Sequence, residues 1–261
     1  MLKLEKRIAW VTGGGRGIGR AIALALAADG ADVAISSRSK DELESVGEEV
    51  RQLGRRALPV RADAMSFDDI RGCTDAIQRE FGAVDILVNN AGGGAPLPKT
   101  DGLSREAVDD RMFIDNLNLN LVSAYRASQA VLPEMLERRY GRIINIGSGY
   151  AKRSGGAPAY TAAKHGLIGL TRAMAALVAR KGVTINCLCP AWTNTRLVDL
   201  DAMAAYEKTD VETVRTRIES ENLQQRILEP EELGPMAVLL ASQEAAGITG
   251  QVISVDGGYK V

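Results

Sequence analysis

The chain has 261 residues, of which 46% are hydrophobic and 25% are charged, as in soluble globular proteins without extended disorder. Its 32 Lys and Arg residues nearly balance 33 Asp and Glu residues, so we expect no basic surface for nucleic acids or membranes. The N-terminal residues are too charged for a signal peptide, and no apolar run is long enough to span a bilayer. The three cysteines lack metal-site spacing. We therefore expect a cytoplasmic protein with no metal site and with reduced, buried thiols.

Short β-rich runs alternate with longer stretches of helical period along the chain. Strands are predicted at residues 8–12, 32–36, 57–60, 85–89, 142–146, 183–189 and 251–255. Helices are predicted at residues 18–29, 40–53, 67–80, 107–138, 159–180 and 230–241. This alternation indicates an α/β fold, a doubly wound (Rossmann) parallel sheet of about seven strands with helices on both faces. With no linker or internal repeat, residues 1–261 are predicted to form a single dinucleotide-binding and catalytic domain.

One segment does not follow the alternation. Residues 195–226 carry a charged helical pattern with no strand. Ligands of doubly wound folds bind at the carboxyl ends of the strands. We therefore predict a substrate flap, near residues 192–226, over that edge of the sheet.

A glycine-rich loop, TGGGRGIG at residues 12–19, lies between the first predicted strand and the first helix. Glycine lets the backbone approach a pyrophosphate, and a helix N-terminus stabilises the phosphate charge. The GxxxGxG spacing differs from the GxGxxG fingerprint, and an ordinary glycine-rich turn is the alternative. The predicted cofactor contacts in this loop are Gly13, Gly15, Arg16, Gly17, Ile18 and Gly19.

The end of the second predicted strand bears on the choice of cofactor. NAD enzymes of this fold usually place an acidic residue there for the ribose 2′-hydroxyl. This chain instead has Ser37 and Arg38, and Arg38 can pair with a 2′-phosphate while Arg16 approaches from the other side. The sequence therefore favours NADP(H) over NAD(H), and the alternative is that both arginines are solvent-facing.

Tyr160 and Lys164 have the i,i+4 spacing that puts two side chains on one helix face. Alone, this spacing says little. The glycine loop, the NNAG segment at residues 89–92, Ser148 and this pair nevertheless follow one another at consistent intervals. In that order, the chain resembles the short-chain dehydrogenase/reductase family from about Lys6 to Tyr259, and in particular its 3-oxoacyl-acyl-carrier-protein reductases.

The resemblance implies a catalytic tetrad of Asn120, Ser148, Tyr160 and Lys164. An adjacent cation stabilises a phenolate, so Tyr160 could exchange a proton with the substrate oxygen while Ser148 orients that oxygen. Lys164 would also bind the nicotinamide ribose, and Asn120 would hold a water of a proton relay. We select Asn120 over Asn118 because the following LVSAYRASQAVLP matches the family pattern.

The resemblance also implies further cofactor contacts, and the chain departs from the family pattern at three places. These contacts are Asp63, Ala64, Asn90, Ala91, Gly92, Tyr160, Lys164, Pro190, Thr193 and Thr195. For Asp63, which would bind the adenine, helix capping is the alternative. The Ser148–Tyr160 interval is one residue shorter than usual, the usual Pro-Gly reads Pro190-Ala191, and Gly93-Gly94 extends the NNAG glycine.

The expected substrate is a ketone or a secondary alcohol. A serine hydrolase is excluded because Ser148 lacks GxSxG spacing and the only histidine, His165, adjoins Lys164. A 3-oxoacyl thioester is favoured because Lys99, Lys152, Arg153 and Arg196 could form a basic rim, although they could equally be surface charges. An NAD-dependent hydroxy acid or alcohol dehydrogenase, and a catalytically silent dinucleotide sensor, remain open. The family also implies a homotetramer built through the Tyr160 helix, with its apolar run Ala173–Val178, and the C-terminal strand.

Overall fold

Seven parallel strands pair in one sheet in the computed structural model, which describes residues 2–94, 105–153 and 155–260, without the side chains of 105–108. The strands are β1 Ile8–Thr12, β2 Asp32–Ser37, β3 Ala57–Arg61, β4 Ile86–Asn89, β5 Gly141–Ile146, β6 Val183–Pro190 and β7 Val252–Val255. The helices are α1 Gly17–Ala28, α2 Lys40–Gln52, α3 Phe67–Glu80, α4 Arg105–Leu117, α5 Ser123–Glu137, α6 Pro158–Val178, α7 Leu200–Glu207, α8 Val211–Ser220 and α9 Gly234–Ala241. The predicted doubly wound fold is confirmed.

Two apolar layers cover the faces of the sheet. On one face, α1, α2 and α9 pack against the strands through residues such as Ile22, Val46 and Ala237. On the other face, α3, α5 and α6 do so through residues such as Ile77 and Val131. The central strands are buried on both faces, which explains their nearly continuous apolar sequences.

The order of the strands is β3-β2-β1-β4-β5-β6-β7, and it reverses direction at β1. β1 pairs with β2 on one side and with β4 on the other. Connections leaving β1 and β4 therefore diverge to opposite faces, which opens a crevice at the carboxyl ends of the two strands. The glycine loop follows β1 and the NNAG segment follows β4, so both predicted motifs lie at this crevice.

The structure divides two of the predicted helices. The stretch predicted at 107–138 is α4 and α5 joined by a π-helical turn, Asn118–Val122. A π turn holds one extra residue and re-aims the side chains within it. Here, it contains the predicted catalytic Asn120. Before α9, residues Pro230–Leu233 form a separate 3₁₀ turn, in which Pro230 takes the first position.

The predicted flap folds as α7 and α8 after β6. Each helix begins with an aspartate that accepts a backbone N–H, Asp199 from Ala202 and Asp210 from Thr213. A small apolar cluster of its own, around Ala204, Val214 and Ile218, holds the two helices together. Across the described part of the chain, no helix combines the length and apolarity that crossing a membrane requires.

Candidate active site

A cleft of about 710 Å³ follows the carboxyl edge of the sheet and brings most of the predicted site residues together. The predicted residues that line it are Gly13, Gly15, Arg16, Gly17, Ile18, Ser37, Arg38, Ala64, Asn90, Ala91, Gly92, Ser148, Tyr160, Lys164, Pro190, Thr193 and Thr195. Gly19, Asp63 and Asn120 are not among the residues that line it. Its volume lies within the range of small-molecule and cofactor sites.

The glycine loop presents bare backbone to this cleft. Gly13 and Gly17 have φ of +65° and +52°, in the left-handed region that favours glycine. Arg16, the residue before α1, makes no side-chain cap, so the first N–H groups of the helix remain available to an anion. Gly19 has another role, because a side chain there would collide with the Gly13 carbonyl.

The NNAG segment fixes the position of the glycine loop. Asn90 Nδ2 donates to the carbonyl oxygens of Thr12, at 3.1 Å, and Gly13, at 3.0 Å. In return, Thr12 Oγ1 accepts the backbone N–H groups of Asn90, at 3.1 Å, and Ala91, at 3.0 Å. Asn90 therefore holds the loop through its side chain while its backbone lines the cleft.

The adenosine end of the cleft contains an acidic residue that the sequence analysis missed. Glu42, in the first turn of α2, accepts from Arg16 Nη1 at 3.3 Å and from Arg196 Nη1 at 2.8 Å. Ser37 and the exposed Arg38 lie nearby along the same cleft. The position of Glu42 four residues after Arg38 was the one available signal.

Asp63 is engaged in local structure. Its carboxylate accepts the N–H of Met65 at 2.9 Å, and its own N–H donates to Asp69 Oδ2 at 2.7 Å. These bonds shape the turn that leads into α3. The N-cap of α3 is Ser66, so Asp63 shapes the preceding turn, and its adenine contact stays a prediction.

Asn120 is buried behind the NNAG segment, at 2% exposure. Its Oδ1 accepts the N–H of Gly93 at 2.9 Å, and its Nδ2 donates to the carbonyl of Gly93 at 2.8 Å. A β-carbon built on Gly92 would lie 2.8 Å from Asn120 Oδ1 and 3.2 Å from Lys164 Nζ. Asn120 and Lys164 therefore flank the same glycine.

Lys164 holds a buried ammonium group at the floor of the cleft. Its Nζ donates to the Ile146 carbonyl at 2.8 Å and lies 5.6 Å from the Tyr160 ring centroid. The residue is only 4% exposed, and none of the carboxylates in the described chain pairs with it. Ser148, nearby at the end of β5, accepts the N–H of Tyr150 through its Oγ at 3.2 Å. A buried cation without a counter-ion is costly unless a ligand completes its hydrogen bonds.

An aromatic cluster adjoins Ser148 and the start of the flap. The Tyr150 ring contacts those of Trp192 and Tyr259 edge to face, each with a centroid distance of 6.1 Å. Trp192 Nε1 donates to Glu221, the residue that follows α8, at 2.7 Å. Burial raises the pKa of the Tyr259 phenol to about 12. This cluster ties the C-terminal segment to the flap.

The predicted basic rim is largely engaged within the chain. Lys152 pairs with Asp256 at 3.6 Å, Arg153 donates to the Lys260 carbonyl at 2.9 Å, and Arg196 pairs with Glu42. Lys99 lies outside the described residues. Tyr206, an aromatic residue of α7, is 89% exposed.

A doubly wound sheet with a glycine loop at its switch point, and a buried lysine beside a tyrosine and a serine, defines a nicotinamide-dependent oxidoreductase. The short chain dehydrogenase family model matches residues 7–204. The 3-oxoacyl-acyl-carrier-protein reductase of Vibrio harveyi is 38% identical, with 98% of each chain covered. An uncharacterized oxidoreductase of Bacillus subtilis is 34% identical, with 98% of this chain and 99% of the relative covered.

Solved structures agree with these sequence relatives. The actinorhodin polyketide ketoreductase, crystallised with NADPH, has a TM-score of 0.87 and 33% identity over 97% of both chains. Levodione reductase has a TM-score of 0.87 and 28% identity over 97% of both chains. The chain belongs to the short-chain dehydrogenase/reductase family, as its resemblance predicted. It is an oxidoreductase of CH–OH and ketone groups, in a family that binds nicotinamide dinucleotides.

Proposed function

We propose that this protein is an NADP(H)-dependent reductase that converts ketones to secondary alcohols, with 3-oxoacyl thioesters as the leading substrate class. The observation that carries the proposal is the buried ammonium of Lys164, which shares the cleft with Tyr160 and Ser148. Its Nζ donates to the Ile146 carbonyl and has two further N–H groups, which a cofactor ribose and a substrate oxygen in the cleft would accept.

In this proposal each polar side chain has a defined task. The Tyr160 hydroxyl gives its proton to the substrate oxygen, and the Ser148 hydroxyl donates a hydrogen bond that orients that oxygen. The Lys164 ammonium stabilises the tyrosinate that remains. Asn120 holds the Gly93 backbone and the π turn in place at the end of the proton path. When bound, the reduced nicotinamide supplies the hydride to the carbonyl carbon.

The residues at the adenosine end favour NADP(H). β2 ends in Ser37 without the carboxylate that would bind a free ribose 2′-hydroxyl, and Arg38 and Arg16 line the same region. A 2′-phosphate carries about −1.5 to −2 charges, so guanidinium groups are suitable partners. The glycine loop and the uncapped N-terminus of α1 would hold the pyrophosphate.

The relatives support the choice of substrate. The Vibrio harveyi reductase acts, by its name, on 3-oxoacyl groups carried by a protein, and the actinorhodin ketoreductase acts on a polyketide ketone. A hydroxy acid dehydrogenase using NAD(H) is the second candidate, and Glu42 near the adenosine site is the observation that favours it. A silent dinucleotide sensor is less favoured because all four tetrad residues are present.

An initial-rate assay of NADPH and NADH oxidation against simple ketones and 3-oxoacyl thioesters tests this proposal. We expect turnover with NADPH and at least one thioester. Tyr160→Phe should lower kcat by about a hundredfold or more because it removes the proton donor. The exposed Tyr125→Phe is the matched control and should keep its rate. Cofactor binding without turnover on any substrate would favour the sensor, and faster turnover with NADH would favour the dehydrogenase.

We also propose that the whole chain acts as one domain in a cytoplasmic homotetramer. One continuous sheet supports the single domain, because the glycine loop follows β1, the NNAG segment follows β4 and Ser148 follows β5. The proposed homotetramer rests on the family and on the exposed surfaces of α6 and β7.

A further inference from the structure

Glu42 places a carboxylate between two arginines that come from distant parts of the chain. Its Oε1 accepts from Arg16, in the glycine loop, and from Arg196, in the segment after β6 that leads into the flap. The Glu42 side chain is 23% exposed, whereas those of Arg16 and Arg196 are 57% and 75% exposed. The carboxylate is therefore the inner member of this trio, at the wall of the cleft.

This carboxylate lies where a 2′-phosphate is expected. A β-carbon built on Gly15 would lie 3.0 Å from Ser37 Oγ and 3.6 Å from Glu42 Oε2, so both side chains border the same glycine. Ser37 ends β2, the place at which doubly wound folds bind the adenosine ribose. An anion bound to Arg16 at this place meets the negative charge of Glu42.

The two ion pairs differ in length. Arg196 is at 2.8 Å from the shared oxygen, within the range of a strong charge-assisted hydrogen bond, while Arg16 is at 3.3 Å. A phosphate with nearly two charges competes better for Arg16 than a carboxylate with one. A phosphate would therefore break the weaker Arg16–Glu42 pair, and Glu42 would stay paired with Arg196.

We propose that Glu42 is a specificity-determining residue for the cofactor. A 2′-phosphate displaces the Glu42 carboxylate from Arg16, and the carboxylate stays paired with Arg196. This inference rests on the proposed NADP(H) function. Glu42 thereby reduces the difference in affinity between a cofactor with a ribose 2′-phosphate and one with a free 2′-hydroxyl. Arg196 moderates this effect because it holds the carboxylate away from Arg16.

Calorimetric binding of two cofactor fragments tests the inference without turnover. Adenosine 2′,5′-bisphosphate carries the 2′-phosphate, and adenosine 5′-monophosphate lacks it. The measured quantity is the ratio of their affinities. In Glu42→Gln, this ratio should rise by about three- to tenfold at low salt, and the rise should shrink as salt screens the repulsion.

Two further variants serve as controls. Glu48→Gln removes the same charge from the same helix, but Glu48 pairs only with Arg51 one turn away among the described residues, so the ratio should stay within about twofold of wild type. Arg196→Gln should lower the ratio, because it leaves the carboxylate to Arg16 alone. In the Glu42→Gln background, Arg196→Gln should have a smaller effect.

The outcomes separate this inference from the proposed function. A wild-type ratio near one would refute the NADP(H) assignment, while a rise in the ratio on Glu42→Gln would still support the role of Glu42. An unchanged or lowered ratio in Glu42→Gln would overturn the inference, whatever the wild-type preference. An equal rise in Glu48→Gln would also overturn it, because the effect would then be one of net charge.

Discussion

Gly92 joins two residues that the chemistry needs close together. A side chain at this position would press on both the Asn120 amide and the Lys164 ammonium. The first contact, at 2.8 Å, is shorter than real β-carbons tolerate, and both neighbours are buried. The absence of a side chain thus sets how closely the π turn approaches α6.

Gly92→Ala should therefore impair activity far more than stability. We expect kcat to fall at least tenfold, because displacement of a catalytic group by about 1 Å is costly. Gly72→Ala is the matched control, since its β-carbon would meet no atom within 4 Å on the exposed side of α3. That variant should keep wild-type kcat and gain about 0.5–1 kcal/mol of unfolding free energy. Full kcat in Gly92→Ala would show that the contact is readily relieved.

For single residues, the sequence was informative where the residues of a motif lie close together along the chain. Asn120 was preferred over Asn118, and Asn120 is the one that bonds Gly93 beside Lys164, although its catalytic role stays a prediction. Glu42 was missed because its partner Arg196 is 154 residues away, and no local pattern reveals such a pair. The sequence did not reveal that the Asp63 carboxylate accepts the N–H of Met65 in the turn that follows it.

The exit of the flap is fastened by an ion pair on the 3₁₀ turn before α9. Glu232 accepts two hydrogen bonds from Arg226, both at 2.6 Å, and one from the backbone N–H of Glu229 at 2.8 Å. The Arg226 hydrogen bonds, followed by that of Glu229, lower the pKa of the Glu232 carboxyl from 4.5 to about 2. Protonation of Glu232 is therefore less favourable in the folded chain than in the unfolded one.

This lowered pKa gives the ion pair a pH-dependent contribution to stability. Its contribution is fully present above the unfolded pKa of 4.5 and is lost progressively as the pH falls towards about 2. Both side chains are partly exposed, so we expect Glu232→Gln to cost less than about 1 kcal/mol at neutral pH. Urea unfolding of both proteins should show this difference narrowing between about pH 5 and pH 3. A difference that stays constant or widens on acidification would contradict the assignment.

Helix boundaries were less predictable than the helices themselves. The segment NLNLNL at 116–121 alternates in a way that marks no single residue as extra, so periodicity could not reveal the π turn. The turn depends on tertiary contacts, because Asn120 bonds Gly93 on another segment. The flap, by contrast, was predicted as helical because its charged helical pattern is visible in the local sequence alone.

The two surfaces proposed for assembly remain open to solvent in the single chain. β7 is the last strand of the sheet and, among the strands that the structure describes, pairs only with β6. On α6, Leu177 is 81% exposed within the predicted apolar run. An exposed strand edge and an exposed leucine are features that a partner subunit would cover.

Leu177→Glu should shift the protein from tetramer to a smaller species, because a buried interface would have to desolvate the new charge. Size-exclusion chromatography with light scattering measures the mass directly. Leu53→Glu, on an exposed leucine after α2, is the control and should not change the mass. A tetramer that survives Leu177→Glu would remove this part of α6 from the proposed interface.

For the whole molecule, the alternation of strands and helices was enough to predict a parallel doubly wound sheet. It did not give the order of the strands. That β1 lies between β2 and β4 depends on pairing over a separation of 77 residues between Ala9 and Ile86. Long-range pairing of this kind leaves no local trace in composition or periodicity.

The same pairing has a consequence for how the chain folds. In a sheet where every neighbour is parallel, each strand must wait for a crossover before it can pair, and such topologies fold slowly. The glycine loop is held by Asn90, which arrives only with β4. A nascent chain that has made β1, β2 and β3 therefore lacks the clamp on its own phosphate loop. We therefore expect nucleotide to bind and stabilise the folding chain only after β4 has paired with β1.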